Sequence, residues 1–127
     1  MPMSHYIANL RDIEFCLFDL LGREKVMGTS LYSDVDRDTA MGMLEEVKRM
    51  CENDLAASFV EGDRVGATLN KETGNVTLPA SFIKSYKAYV DGEWWRVDAP
   101  VELGGMKIPP SVRWAIAEMV LGSNPAI

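Results

Sequence analysis

Ala40, Met43, Leu44, Val47, Cys51, Leu55 and Phe59 recur at intervals of three and four residues, the period of one helix face. Glu45, Glu46, Lys48, Arg49, Glu52 and Asn53 take the opposite face. Ser33-Asp34-Val35-Asp36 supplies several N-cap side chains, and Glu61-Gly62-Asp63 supplies the end. One long helix is therefore expected from the caps to about residue 61. A helix of that length with a single apolar stripe stays folded only if other elements cover the stripe, which commits the chain to a helical assembly. Within it, Glu45 and Arg49 stand in the favourable i, i+4 order for an ion pair. Gly42 costs close to ~1 kcal/mol against alanine, so it is expected to mark a close approach by another helix.

The covering elements are legible on both sides. Ile13, Cys16, Leu17, Leu20 and Leu21 define one face of a first helix, with Gly22 at the terminating position. Phe15 and Phe18 lie off that stripe, so this helix should pack on two neighbours or on another chain. Ala67-Thr68-Leu69 and Val76-Thr77-Leu78 flank a polar, glycine-containing turn and predict a hairpin, which being small must lean on helices. Pro79 opens a third helix carrying Phe82, Ile83, Tyr86, Tyr89 and Val90, stopped by Gly92. Trp94 to Gly105 is irregular. Pro109-Pro110-Ser111 then starts a last helix, Val112 to Leu121, stopped by Gly122, in which only Arg113 and Glu118 are polar. A helix apolar nearly all round belongs in the middle of something large. The expected fold class is mainly α: a helical domain of about four main helices plus short helical turns, with one small β-hairpin, forming a single domain over residues 1–127.

Several function classes are excluded at this level. The net charge of −6 and 13 scattered Lys and Arg leave no basic stripe to neutralise phosphates, so no nucleic acid is expected as partner. No apolar run approaches the roughly 20 residues needed to cross a bilayer. Met1 to Arg11 lacks the basic flank and apolar core of a signal peptide, and the expected location is cytoplasmic. Cys16 and Cys51, each inside an apolar helical pattern, read as two buried reduced thiols. His5 stands near the terminus and is expected to be neither ligand nor base. Asp34, Asp36 and Asp38 alternate as in a calcium loop, but Gly42 and Glu45 miss the positions such a loop requires, and helix capping accounts for the triplet. Gly104-Gly105 reads as a tight turn. No metal site, phosphate cradle or nucleophile motif occurs, so no catalytic, cofactor-binding or metal residue is assigned.

Two segments together resemble one family. Ser4-His5-Tyr6 followed by Leu10-Arg11-Asp12-Ile13-Glu14-Phe15 and Phe18-Asp19-Leu20-Leu21-Gly22 resembles the opening of the longer bacterial acyl-CoA dehydrogenases, which carry an N-terminal extension. Phe59 to Arg64, the hairpin, Leu78-Pro79 and Ser81-Phe82 follow that family's order of elements. Glu102-Leu103-Gly104-Gly105-Met106 through Pro109 to Glu118 resembles its Gly-Gly stretch, and Asn124-Pro125-Ala126 resembles the start of its next helix. Trp94-Trp95-Arg96 and Val101 depart from the commoner pattern before the turn.

The resemblance implies a family N-terminal extension at 1–33 and the N-terminal helical domain proper at 34–127. It implies a three-part parent enzyme that removes hydrogens from Cα and Cβ of an acyl-CoA thioester. A glutamate there takes the α-proton and FAD accepts the β-hydride, both in domains beyond this one. No cofactor is expected in this chain itself, and FAD is expected in the parent. The helix after the Gly-Gly turn would wall the acyl cavity, with Trp114, Ala117, Glu118 and Leu121 as the candidate wall residues at i, i+3, i+4 and i+7. On that face Glu118 would require a partner, Arg113 or a residue of the domains beyond this one, or a place near a polar end of the substrate. The expected partners are a second copy of the chain or a flavin-bearing chain or domain. Two other readings remain: a small interaction module that docks or dimerises through its apolar last helix, and a free-standing carrier of acyl groups.

Overall fold

The computed structural model describes residues 4–127. The first three positions of the Met1–Arg11 segment, and of the 1–33 extension, lie outside the described residues. The architecture is mainly helical: four helical rods, short 3₁₀ turns and one two-stranded antiparallel sheet. The first rod is α1 (Leu10–Glu14), continued by a π-helical segment, Phe15–Leu20. The second runs from α2 (Arg37–Met50) through a π segment (Cys51–Leu55) and a 3₁₀ turn (Ala56–Ser58) into α3 (Phe59–Arg64). After the hairpin, β1 (Thr68–Leu69) and β2 (Val76–Thr77), come α4 (Ala80–Asp91) and α5 (Pro110–Ser123). No helix among the described residues is long and apolar enough to cross a membrane.

The second rod is the axis of the molecule, with α1, α4 and α5 packed along it. Asp36 caps it, its carboxylate accepting from the Thr39 amide at 2.8 Å, which holds that carboxyl below its ordinary pKa. Ala40, Leu44, Val47, Cys51 and Leu55 are buried as the stripe predicts. They meet Val112, Ala115, Ile116 and Met119 of α5 in the core. Phe59, at the end of the stripe, is 37% exposed and stacks on His5 at 4.5 Å.

Both π segments have consequences that a regular helix would not produce. A π turn closes on i+5 and so carries an extra residue. In the first rod this shifts the inward face: Ile13, Leu17 and Phe18 are buried, whereas Leu20 and Leu21 are exposed. The expected five-residue stripe is thus broken after Leu17, and Cys16 is exposed rather than buried. In the second rod, the perturbed ladder leaves carbonyls for side chains to satisfy. Ser85 Oγ of α4 donates to the Asp54 carbonyl at 2.7 Å. Asn124 Nδ2, following α5, donates to the Leu55 carbonyl at 3.3 Å and to Ser58 Oγ at 3.1 Å.

Other expectations are corrected in detail. Arg49 pairs with Glu46 rather than Glu45, because a single turn brings its Nε to 2.8 Å from the Glu46 carboxylate. Gly42 faces open space and marks no helix contact. All four strand residues of the hairpin are exposed, so none of them is buried against a helix. Gly92 does end α4, which stops at Asp91 as expected, but in a right-handed conformation, and the left-handed residue is Glu93. Ser85, not an aromatic residue, is the buried position of α4. Gly122 does not stop α5. The helix continues to Ser123 and Asn124 ends it in an extended conformation.

Candidate functional site

The predicted wall residues sit on α5, which begins at Pro110, where proline forfeits no helical hydrogen bond. Val112, Ala115, Ile116 and Met119 point into the core. Trp114, Ala117, Glu118 and Leu121 consequently form the outer side. Trp114 is 62% and Leu121 56% exposed, Ala117 is half-buried and Glu118 is exposed.

These four residues do not share one hollow. They form a ridge between two. On one side Trp114 and Glu118 line a cavity of about 380 Å³ between α5 and the first rod. Its apolar lining includes Ile13, Cys16, Leu17, Leu21 and Ala115, with Asn9, Asp12 and Ser111 as polar members. On the other side Ala117 and Leu121 line a hollow of about 280 Å³ that also takes in Tyr89, Val97 and Ile127. The four lie along the outer side of α5, with the first rod bordering one hollow and Tyr89 and Val97 bordering the other.

Polar groups around the first cavity are placed by identifiable contacts. Arg113 does not pair with Glu118. Its Nε donates to Asp98, and its guanidinium lies 5.3 Å from the centroid of the Trp114 ring. Glu118 forms no ion pair among the described residues. It is exposed among the described residues, and Arg113 is not the partner expected for it. Asp12 accepts from the Asn9 side-chain amide at 2.6 Å. The Ser111 hydroxyl oxygen is buried and has no hydrogen-bond partner among the described residues.

Tyr6 closes the far end of α5. A Cβ on Gly122 would fall 2.6 Å from Tyr6 Cε2, so glycine is what lets the ring approach. Burial, and then the negative charges of Cys51, Glu118 and Glu52, push the Tyr6 phenol up to about 12. Cys51 lies fully inside the core, and burial pushes its thiol up to about 11. It is an inert packing residue. Among the described residues no group of His, Cys, Asp and Glu could hold a metal ion.

The Gly-Gly turn is closed by its own backbone. Gly104 is left-handed, and the Gly104 and Gly105 amides donate to the Val101 and Pro100 carbonyls at 2.9 and 3.0 Å. A Cβ on Gly105 would fall onto the Ala99 carbonyl oxygen. These amides are therefore spent and cradle no phosphate.

Ile13, Cys16, Leu17 and Leu21 were not among the expected wall residues. The signal for them was present in the surplus apolar surface of the first helix, but its outward part could not be separated from its inward part without the π turn.

No protein-family model matches the chain. It is 48% identical over 125 residues to a broad-specificity linear acyl-CoA dehydrogenase of Mycobacterium tuberculosis, covering 98% of this chain and 20% of that protein. It is 36% identical over 115 residues to a 3-methylmercaptopropionyl-CoA dehydrogenase of Ruegeria pomeroyi, covering 91% of this chain and 19% of that protein. The chain spans about a fifth of the length of these curated relatives. It is homologous to one segment of the acyl-CoA dehydrogenases.

Proposed function

We propose that the chain is the N-terminal helical portion of a flavin-dependent enzyme that removes hydrogens from the α and β carbons of an acyl-CoA thioester. In this reading residues 1–33 are an extension and 34–127 the helical domain proper. The portion is non-catalytic and contributes one wall of the acyl cavity. The observation that carries this is the outer side of α5. A 14-residue helix anchored by its core face displays Trp114 and Leu121 to the outside, and apolar groups held out on a rigid element suit a ligand or an apposed domain.

FAD would belong elsewhere in the protein. It would accept the hydride there, but the residues of this chain do not fit its pyrophosphate. The glycine turn best suited by composition has its amides engaged with Val101 and Pro100, so no step of the reaction is assigned to this chain. Its contribution is shape: an apolar surface that excludes water from the substrate and limits its length. Linear acyl-CoA thioesters, named for the Mycobacterium relative, are the proposed substrate class. The same outer side of α5 also suits docking to a flavin-bearing chain or to a second copy.

The test is reconstitution. The chain expressed alone should be colourless and should not reduce an electron acceptor with octanoyl-CoA, and co-expression with the flavin-bearing remainder should give an active yellow complex. A yellow, active chain on its own defeats the proposal.

A further inference from the structure

We infer that the π segment Cys51–Leu55 is a joint with two registers, and that Ser85 of α4 and Asn124 after α5 jointly hold it in the observed one. Through this joint the setting of α4 governs how firmly the end of α5 is held. The coupling does not depend on what the outer side of α5 borders.

Five consecutive residues receive three separate parts of the chain. The Glu52 carboxylate accepts from the Ala8 amide at 2.9 Å. The Asp54 carbonyl accepts from Ser85 Oγ at 2.7 Å, and the Leu55 carbonyl from Asn124 Nδ2 at 3.3 Å. Ser85 and Asn124 are buried, so water does not readily replace either donor. α4 and α5 each pack more closely on this segment than on each other.

The backbone supplies the second register. The Ala56 amide donates to the Cys51 carbonyl, five residues back, and the Phe59 amide to the Ala56 carbonyl, three residues back. A π turn closes on i+5 and the 3₁₀ turn after it on i+3, so together they average the i+4 of a regular α-helix. The run from Met50 to Phe59 can therefore reset to α-helix with its ends in place. In that register the Ser58 amide takes the Asp54 carbonyl and the Phe59 amide takes that of Leu55. The two acceptors that Ser85 and Asn124 hold thus return to the ladder. Losing either side chain favours the reset, and the reset releases the other. Such coupling is reciprocal.

The experiment is hydrogen exchange of the full-length protein, read by mass spectrometry on peptides covering Val120–Asn124 of α5, Phe82–Lys87 of α4 and Ala40–Val47 of α2. Ser85→Ala should speed exchange at the end of α5 about fivefold, the factor that goes with one lost hydrogen bond. Ser85 itself makes no hydrogen bond to α5, its hydroxyl donating to the Asp54 and Ser81 carbonyls. Asn124→Ala should have the corresponding effect in α4. At the end of α5 the double variant should fall short of the product of the single effects by about threefold or more, as for residues in one network. The α2 peptide should exchange as in wild type throughout. Tyr86→Ala, at an exposed neighbour on α4, should leave α5 unchanged.

Unchanged α5 exchange in a folded Ser85→Ala protein overturns the inference. So do single effects that multiply in the double variant, which mean two independent fastenings. Equal acceleration in α2 means a global loss of stability and overturns it as well. If Tyr86→Ala loosens α5 as much as Ser85→Ala does, general packing of α4 is responsible and the joint falls. Should Ser85→Ala fail to fold, Asn124→Ala read at α4 decides alone, and unchanged α4 exchange there overturns the inference.

Discussion

The Asn124 side-chain amide donates to Ser58 Oγ at 3.1 Å and to the Leu55 carbonyl at 3.3 Å, and both residues at the side-chain contact are buried. It fastens the end of α5 to the place where the second rod loses its regular ladder, and so fixes the helix that carries Trp114.

Asn124→Ala should therefore destabilise the protein by about 1–3 kcal/mol, the usual cost of leaving buried polar groups unpaired. Asn124→Asp should cost more despite its similar shape. One carboxylate oxygen would keep the Ala126 amide, but the other would face the Leu55 carbonyl with no proton to give, and a charge would be buried. Urea denaturation of the three proteins checks the order, and an Asp variant as stable as wild type contradicts it.

Two glycines should respond oppositely to alanine. Gly42 lies on α2 with nothing near its missing side chain, so Gly42→Ala should stabilise by up to ~1 kcal/mol through helix propensity. Gly105→Ala would drive a methyl into the Ala99 carbonyl oxygen, a backbone atom that cannot step aside. It should cost at least the ~1–3 kcal/mol of overpacking. Melting temperatures of the two variants should move apart.

The long stripe of the second rod, its Asp36 cap, the hairpin and the proline start of α5 are written in residue spacing, because each depends on local geometry alone. The inward face of the first rod was misread past Leu17, since nothing in Phe15 to Leu20 announces a π turn. The roles of Ser85 and Asn124 were missed for a related reason: their acceptors exist only because a distant helix is irregular. The candidate wall was legible as a helix face, through Trp114, Ala117, Glu118 and Leu121. Its division into two hollows was not, because that depends on where the first rod and α4 lie on either side of α5.

Stability should decline in alkali in two stages. Burial raises the Cys51 thiol from 9.0 to about 11 and the Tyr6 phenol from 10.0 to about 12. The fold holds both protons past the pH at which the unfolded chain releases them. The unfolded chain then binds fewer protons, and stability falls as pH rises. The contribution of each group is intact below its unfolded value and lost as pH climbs to its folded one, giving a window from about 9 to about 12. Cys51→Ala should flatten the decline up to about 11 and leave the Tyr6 stage. Urea midpoints across this range test it, and an unchanged slope in Cys51→Ala contradicts it.

The most direct test of the acyl-cavity wall is the chain-length profile of kcat/KM for the full-length enzyme carrying Trp114→Ala. Trp114 is largely exposed on α5, so on the proposed reading its loss takes away a wall residue without emptying the core. Each buried methylene contributes about 0.8 kcal/mol, and room for two or three more carbons should shift preference toward longer acyl groups by some tens-fold. The expected result is that shift, with stability close to wild type. A flat profile across acyl lengths, accompanied only by a loss of stability, would show that this face of α5 is interdomain packing and not a wall of the substrate cavity.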